Sequence, residues 1–248
     1  MAKTKSIDNI TLSAGSHPTR SHGVCFMEAV AWIVKEKHSD HPACVCPVFG
    51  EFARTWNDRL GNADRQKMKP YLVMSIGTSN DGYAERRAWM IIDWSVRGAL
   101  AVYCEARNLK DLARDARALP EIRDWDTAKQ ASKVLNSFGR ALARAFAITP
   151  RGSVRVRALA RALARALAMD LTLDLALPIN LALERALARA LALQVLDLCA
   201  LGSLDIELFN ESGFALMDRL LTISLEVPQL QGGTEIANVE SKELEHAR

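Results

Sequence analysis

Apolar residues recur every three to four positions along most of this chain, which is the period of an amphipathic α-helix. Proline and glycine interrupt that pattern at intervals and mark where helices begin and end. The spacing predicts helices over residues 23–35, 47–60, 62–69, 83–105, 109–119 and 127–148, and a last one over 203–225. Pro47 is placed as the first residue of its helix, where a missing N–H costs nothing.

A four-residue repeat of arginine, alanine and leucine follows Pro150. It reads SVRVRALARALARALA from residue 153 and returns as LERALARALAL from residue 183. A helix turns about 100° per residue, so the leucines stay on one side and the arginines, two residues earlier, lie on the opposite side. In a strand, leucine and arginine two residues apart share a face, so the repeat favours helix.

Between the two copies of the repeat the period changes. Residues 171–183 alternate leucine or isoleucine with smaller or polar residues, which is the periodicity of a strand. A helix here is apolar on every side. We favour a helix broken at Pro178, because a lone strand has no partner, and the strand remains the alternative.

Composition supports the helical interpretation of the pattern. The 248 residues are rich in alanine, leucine and arginine, with 13 glycines and 8 prolines, and these three residues are good helix formers. We predict an all-α multi-helix array. A Trp-rich N-terminal helical domain covers residues 1–120, an Ala/Leu/Arg helical repeat region covers 121–228, and a flexible acidic tail covers 229–248.

No stretch of the sequence is apolar enough to predict a membrane span, which needs about 20 such residues. The first residues lack the apolar stretch of a secretory signal. The five cysteines are odd in number and unevenly spread, so we interpret them as reduced thiols. These features predict a cytoplasmic protein with no membrane partner.

Charge is distributed unevenly along the chain. Residues 137–190 hold nine arginines, no lysine and three acidic residues, a net charge of about +6, whereas residues 191–248 carry about −7. Phosphates bind basic helix faces, but no aromatic residue interleaves with the arginines to stack on bases. A protein partner or self-association through the repeat is therefore favoured over nucleic acid.

Histidine and cysteine concentrate between residues 17 and 46 and suggest a metal site. His22 and Cys25 are three residues apart, as are His41 and Cys44, which is the spacing at which two side chains reach one Zn²⁺. Two such pairs supply the four ligands of a tetrahedral site. Zinc is the one candidate ion, and the competing interpretation is a packed Cys25 with solvated histidines and no cofactor.

A thiol-dependent site is the second chemical interpretation of the same residues. Cys25 falls at the start of a predicted helix, where unpaired N–H groups lower the pKa of a thiol. His38 can pair with that thiol, and Glu28, one turn on, can act as a base or orient a histidine. The candidate catalytic residues are therefore Cys25, Glu28 and His38.

Several stretches of the chain carry a resemblance to a known family. They are GSH (15–17), GVCFMEAVAW (23–32), HSDHPACVCPVFGEFARTWNDRL (38–60), RQKMKPYLVMSIGT (65–78), ERRAWMIIDWSVR (85–97), ALPEIRDWDTA (118–128) and ELFNESGFALMDRLL (207–221). The chain resembles an uncharacterised family of actinobacteria and their phages. In that family Ala-Trp-Asp-Ala-Ala-Arg units stand where Arg-Ala-Leu-Ala dominates here. The resemblance implies a helical fold and a phage-associated origin, and no activity.

The sequence favours a non-enzymatic helical interaction protein, of the kind with which a phage or accessory element acts on a host partner. The repeat, the uneven charge and the lack of a phosphate-binding or oxyanion motif support this hypothesis. The alternative is a zinc- or thiol-dependent enzyme centred on Cys25 and the His/Cys loop 38–46.

Overall fold

The structure of the protein is a computed structural model that describes residues 7–106, 108–124, 126–128, 130–131 and 206–226. Within these ranges the chain is helical and contains no strand. The all-α prediction is therefore confirmed for the part of the chain that the structure describes. None of the described helices is both long and apolar enough to cross a membrane.

Eight α-helices and one π-helix form the described part. The helices are α1 (Phe26–Ile33), α2 (Pro47–Arg59), α3 (Asn62–Gln66), α4 (Tyr71–Met74), α5 (Ala84–Asp93), the π-helix (Trp94–Ala99), α6 (Leu100–Ala106), α7 (Lys110–Arg117) and α8 (Ile206–Glu226). Short 3₁₀ turns lie at Ile7–Asn9, Arg20–His22 and Thr78–Asn80.

Helix termini follow the local sequence signals. Pro47 is the first residue of α2, as predicted, and α2 ends at Arg59 before an extended Leu60. Cys25 caps α1: its sulfur accepts the N–H of Glu28, and the Glu28 carboxylate accepts the N–H of Cys25. This reciprocal capping box satisfies two N–H groups that the first turn leaves unpaired.

The long helix predicted over 83–105 is present but contains a π-helical segment. α5, the π-helix and α6 follow one another without a break from Ala84 to Ala106. The hydroxyl of Ser95 donates to the carbonyl of Ile91 at 2.7 Å, which places a competing donor on the backbone where the ladder changes. Trp94 and Val96, only two residues apart, are both buried.

The core is built around a cluster of aromatic rings. Trp56 of α2 stacks on Phe52 with ring centroids 5.8 Å apart, and Trp94 meets both rings edge-on at 5.8 Å. Phe209 of α8 lies 5.5 Å from Trp56, so α8 closes the cluster. Offset and edge-on ring pairs of this kind add about 0.5–1.5 kcal/mol each beyond the area that they bury.

α8 belongs to the same core as the N-terminal helices. Its inward residues are buried in one cluster with α1, α2 and α4, and they are Phe209, Leu216, Met217, Leu220, Leu221 and Ile223. A Cβ at Gly213 would lie 2.1 Å from the Trp56 ring, so only glycine permits this approach. α8 therefore packs against helices of the predicted N-terminal domain, although the prediction counts its residues with the repeat region.

A buried arginine fastens α8 to α5. Arg87 is 1% exposed, and its Nε donates to the carbonyl of Leu220 at 2.9 Å. Its guanidinium also pairs with Asp81, with Nη1 at 2.8 Å from Oδ1. Because both partners accept from one rigid guanidinium, the start of α5 and the end of α8 are held at a set distance.

Several predicted segments lie outside the described residues. They are the repeats at 153–168 and 183–193, the 171–183 segment, most of 127–148 and the tail 229–248. Their predicted conformations, and the domain boundaries at 120 and 228, stay predictions.

We predict that Gly213→Ala destabilises the protein. The new Cβ overlaps a ring held on three sides, and overpacking of a core costs about 1–3 kcal/mol, which exceeds the gain of about 1 kcal/mol in helix propensity. Thermal unfolding by circular dichroism measures the effect. Ala215→Leu adds more bulk at an exposed position of the same helix and serves as the control. A melting temperature for Gly213→Ala equal to or above that of the parent contradicts the packing.

Candidate functional site

The candidate site is built around the carboxylate of Glu28, which has three hydrogen-bond partners. It lies in the first turn of α1 and is 1% exposed. Oε1 accepts the N–H of His17 at 2.6 Å, and Oε2 accepts the N–H of Cys25 at 2.8 Å. Oε2 also lies 2.8 Å from Nδ1 of the His17 ring. Three N–H donors therefore converge on one buried side chain.

His38 completes this arrangement from the loop that follows α1. Its Nε2 lies 2.8 Å from the carbonyl oxygen of His17 and 3.7 Å from Oε1 of Glu28. A carbonyl only accepts, so Nε2 of His38 carries a proton and donates it. His38 thus supports the backbone of His17, and does not pair with Cys25 as we had predicted.

The environment of Glu28 keeps it ionised. Burial alone raises the pKa of a carboxyl group, but the hydrogen bonds from the N–H groups of Cys25 and His17 and from the His17 ring outweigh it. The pKa of Glu28 is therefore lower than its ordinary value. The buried charge is satisfied by donors and by the helix N-terminus.

Ser13 extends the network on the other side of the His17 ring. Its Oγ lies 3.2 Å from His17 Nε2, while Nδ1 of the same ring faces Glu28. Gly23 lies against both groups, because a Cβ there would sit 2.6 Å from the imidazole and 2.7 Å from Oγ. Glycine at this position also permits its φ of +132°.

The loop that carries Ser13 and His17 is fastened to α2 as well. Asn57 is fully buried; its Nδ2 donates to the carbonyl of Ser13 at 2.9 Å, and its Oδ1 accepts the N–H of Phe26 at 3.2 Å. Asp58 accepts the N–H of Gly15 at 2.7 Å. One loop is therefore held by α1 and α2 together.

Two surface cavities adjoin this region. One, of about 530 Å³, is lined by Thr11, Leu12, Ser13, Asn62, Ala63, Gln66 and Lys69. The other, of about 650 Å³, lies at the start of α2, and its polar lining includes His41, Glu51, Arg54, Ser79 and Asn80. Both volumes fall in the range of small-molecule sites, but only the first touches the Ser13 network.

The predicted zinc ligands are not brought together. His22 is exposed and bonds Thr19 through Nδ1 at 2.7 Å, and His41 is exposed and pairs with Asp40 at 2.7 Å. Cys25 is a buried cap, and Cys44 faces Glu36. Across the described ranges, no group of three or more His, Cys, Asp or Glu side chains is placed to hold a metal ion. The structure therefore places His22, Cys25, His41 and Cys44 at separate positions with separate partners.

The surroundings of Cys25 disfavour its thiolate form. Burial raises the pKa of its thiol to about 12, although the N–H of Glu28 works in the opposite direction. The negative charge of Glu28 raises it further. We expected the helix N-terminus to stabilise a thiolate, but desolvation and the neighbouring carboxylate dominate. Burial and Glu36 likewise raise the pKa of Cys44.

Comparison of the chain with family models, with curated proteins and with solved structures finds no match in any of the three. The chemistry of the site therefore rests on its geometry. Sequence reasoning identified Glu28 and His38 but assigned them to a thiol, and it gave no role to Ser13 or Asn57. The available signal was the spacing of Ser13 and His17 before a helix whose third residue is glutamate.

We predict that Glu28→Gln lowers the free energy of unfolding at pH 7 by about 1–3 kcal/mol. A glutamine has one acceptor oxygen, and its NH₂ group faces N–H groups whose hydrogen bonds the carboxylate accepts. At least one buried donor therefore loses its partner. Denaturant unfolding measures the change. Glu121→Gln, at an exposed position, is the matched control and should leave stability unchanged.

The difference in free energy of unfolding between the parent and Glu28→Gln depends on pH. Because folding lowers the pKa of Glu28, its contribution is complete above the unfolded-state pKa of about 4.3 and is lost as pH falls through the folded-state pKa. The difference between parent and Glu28→Gln therefore narrows below about pH 4.3. A difference that is constant or grows on acidification contradicts an ionised Glu28.

Proposed function

We propose that this protein is a helical interaction protein whose folded core holds the Arg/Ala/Leu repeat for a protein partner, and that a second copy of the chain is such a partner. One observation carries the proposal: the segment that contains the repeat joins two parts of one folded unit. Before it, Ile122 is buried and its N–H donates to Asp93 of α5 at 2.9 Å. After it, α8 packs into the aromatic core.

This arrangement supports a role for the repeat as a recognition segment. The rings of the described aromatic cluster come from residues on either side of the repeat. Its arginines carry most of the positive charge between residues 137 and 190. A cationic segment anchored at both ends loses less freedom on binding than a free tail does.

The described surface carries a negative region that fits such a segment. Asp64 of α3 and Glu207 and Glu211 of α8 surround Lys67, whose pKa is raised first by its hydrogen bond and charge interaction with Asp64 and then by the two glutamates. Asn210 donates to Asp64 at 3.0 Å and holds α3 beside α8. Arginines of a second copy are attracted here, whereas nucleic-acid phosphates are repelled.

A protein partner is therefore favoured over nucleic acid, and we propose no membrane partner. We also propose a cytoplasmic location and an origin in the actinobacterial and phage family that the chain resembles. Neutralisation of the repeat by acidic residues of its own chain is the competing arrangement, and it predicts a monomer at every concentration.

We predict that the full chain self-associates reversibly and that salt reverses the association. Sedimentation velocity over a range of protein concentrations measures this at about 0.05 M and about 0.5 M salt, where screening lengths differ several-fold. The triple change Arg157→Gln, Arg161→Gln and Arg165→Gln removes the charge of one repeat face and should shift the chain to monomer at low salt.

A matched control removes the same charge from the surface of the described part. Lys37→Gln, Lys110→Gln and Arg123→Gln change three exposed positions outside the repeat and should leave the association intact. A monomer at every concentration in low salt, or equal weakening by both triple variants, contradicts the proposal. Binding of a short DNA duplex by the parent, lost in the repeat variant, would assign the repeat to nucleic acid instead.

A further inference from the structure

The order of groups around His17 is that of an activated nucleophile. A hydroxyl, an imidazole and a buried carboxylate follow one another, with Ser13 Oγ 3.2 Å from Nε2 and Glu28 Oε2 2.8 Å from Nδ1. We propose that Ser13, His17 and Glu28 form an acyl-transfer site that hydrolyses small carboxylic esters. This activity is independent of the interaction proposed for the repeat, because it uses no residue beyond the N-terminal part of the core.

The positions of the protons follow from the partners of the ring. Glu28 is ionised and only accepts, so Nδ1 of His17 carries the ring proton and points it at the carboxylate. When Nδ1 carries the one ring proton, the lone pair of Nε2 faces the Ser13 hydroxyl. The carboxylate also stabilises the positive charge that the ring acquires when it takes the serine proton.

The reacting pair is held in place and borders open space. The N–H of Val24 donates to Ser13 Oγ at 2.9 Å, and the N–H of His17 is held by Glu28. Gly23 covers one side at a distance that no other residue allows. Ser13 also lines the cavity of about 530 Å³, together with residues that include Asn62, Gln66 and Lys69. A small ester fits this volume.

The proposed hydrolysis consumes one molecule of water for each ester. Ser13 Oγ attacks the ester carbonyl carbon as its proton passes to His17 Nε2, and the carbonyl electron pair moves to oxygen. The tetrahedral intermediate collapses, the bond to the alcohol oxygen breaks, and Nε2–H protonates the leaving alcohol. Water then attacks the acyl-serine with His17 as base, which releases the carboxylic acid and restores the Ser13 hydroxyl.

A purely structural role for Ser13 makes different predictions. Its Oγ lies 3.2 Å from the carbonyl of Val24, and its own N–H donates to that carbonyl at 2.9 Å, so the side chain also fastens the loop to the start of α1. If fastening is its whole role, removing the hydroxyl changes stability and nothing else. The experiment must therefore measure covalent reactivity and stability on the same proteins.

The test treats the full chain with a fluorophosphonate, which reacts when an activated serine oxygen attacks phosphorus and fluoride leaves. Intact-protein mass and peptide mapping locate the adduct, and p-nitrophenyl acetate hydrolysis gives kcat/KM. We expect one adduct on Ser13 in the parent. Ser13→Ala and His17→Gln should each lower kcat/KM by about 100-fold or more, the usual contribution of a general base.

Ser16→Ala removes an exposed hydroxyl from the same loop and should leave both the adduct and the hydrolysis unchanged. The melting temperature of each variant shows that it is folded. The proposal is overturned if the parent forms no adduct at Ser13 while Ser13→Ala melts at a lower temperature, since the hydroxyl is then a structural bond. Labelling at Ser13 that survives in folded His17→Gln also overturns it, because the serine is then not activated by the imidazole.

Discussion

The contact between Trp56 and Gly213 is the constraint on which the rest of the described structure depends. The Trp56 ring of α2 occupies the space that a Cβ at position 213 of α8 would need. The neighbouring rings of Phe52, Trp94 and Phe209 fill the space around it. The cost of closing the intervening chain rises only with the logarithm of its length. Aromatic packing and the Arg87 hydrogen bond to Leu220 can therefore offset that cost.

A second constraint orders the N-terminal loop. Glu28 lies on α1, a helix that the core holds rigidly, and its carboxylate draws the backbone and ring of His17 towards it. Asn57 and Asp58 hold the same loop from α2. They directly follow Trp56, the residue whose ring packs against α8. The aromatic core and the polar site thus share α2, so loss of the α8 packing also disturbs the loop that carries Ser13.

Local signals predicted much of the helical fold. Pro47 and the caps gave the starts and ends of helices within a few residues, since these are short-range effects. The π-helical segment was not predictable, because the hydroxyl of Ser95 can turn to solvent as easily as to Ile91. The attachment of α8 to the N-terminal core was also missed. Its one sequence signal was Gly213, a glycine in the middle of an apolar helical pattern. A glycine does not indicate which residue packs against it.

Residues that are close in sequence do not all come together in the site. His22, Cys25, His41 and Cys44 lie within a short stretch, but each finds its own nearby partner or is buried, so they do not converge. The sign of the Cys25 pKa shift depended on burial and on Glu28, which spacing does not reveal. Glu28 and His38 were identified as polar groups worth testing, yet their true partner, His17, is specified by the fold of a loop.

Hydrogen exchange of the full chain tests the central claim that α8 and the N-terminal helices form one core. Backbone amides in the middle of α8, at Leu216 and Leu220, should have the same free energy of exchange as those of Phe52 and Trp56 in α2, because both sets open only on global unfolding. Exchange of the α8 amides that is orders of magnitude faster than exchange in α2 would contradict that claim.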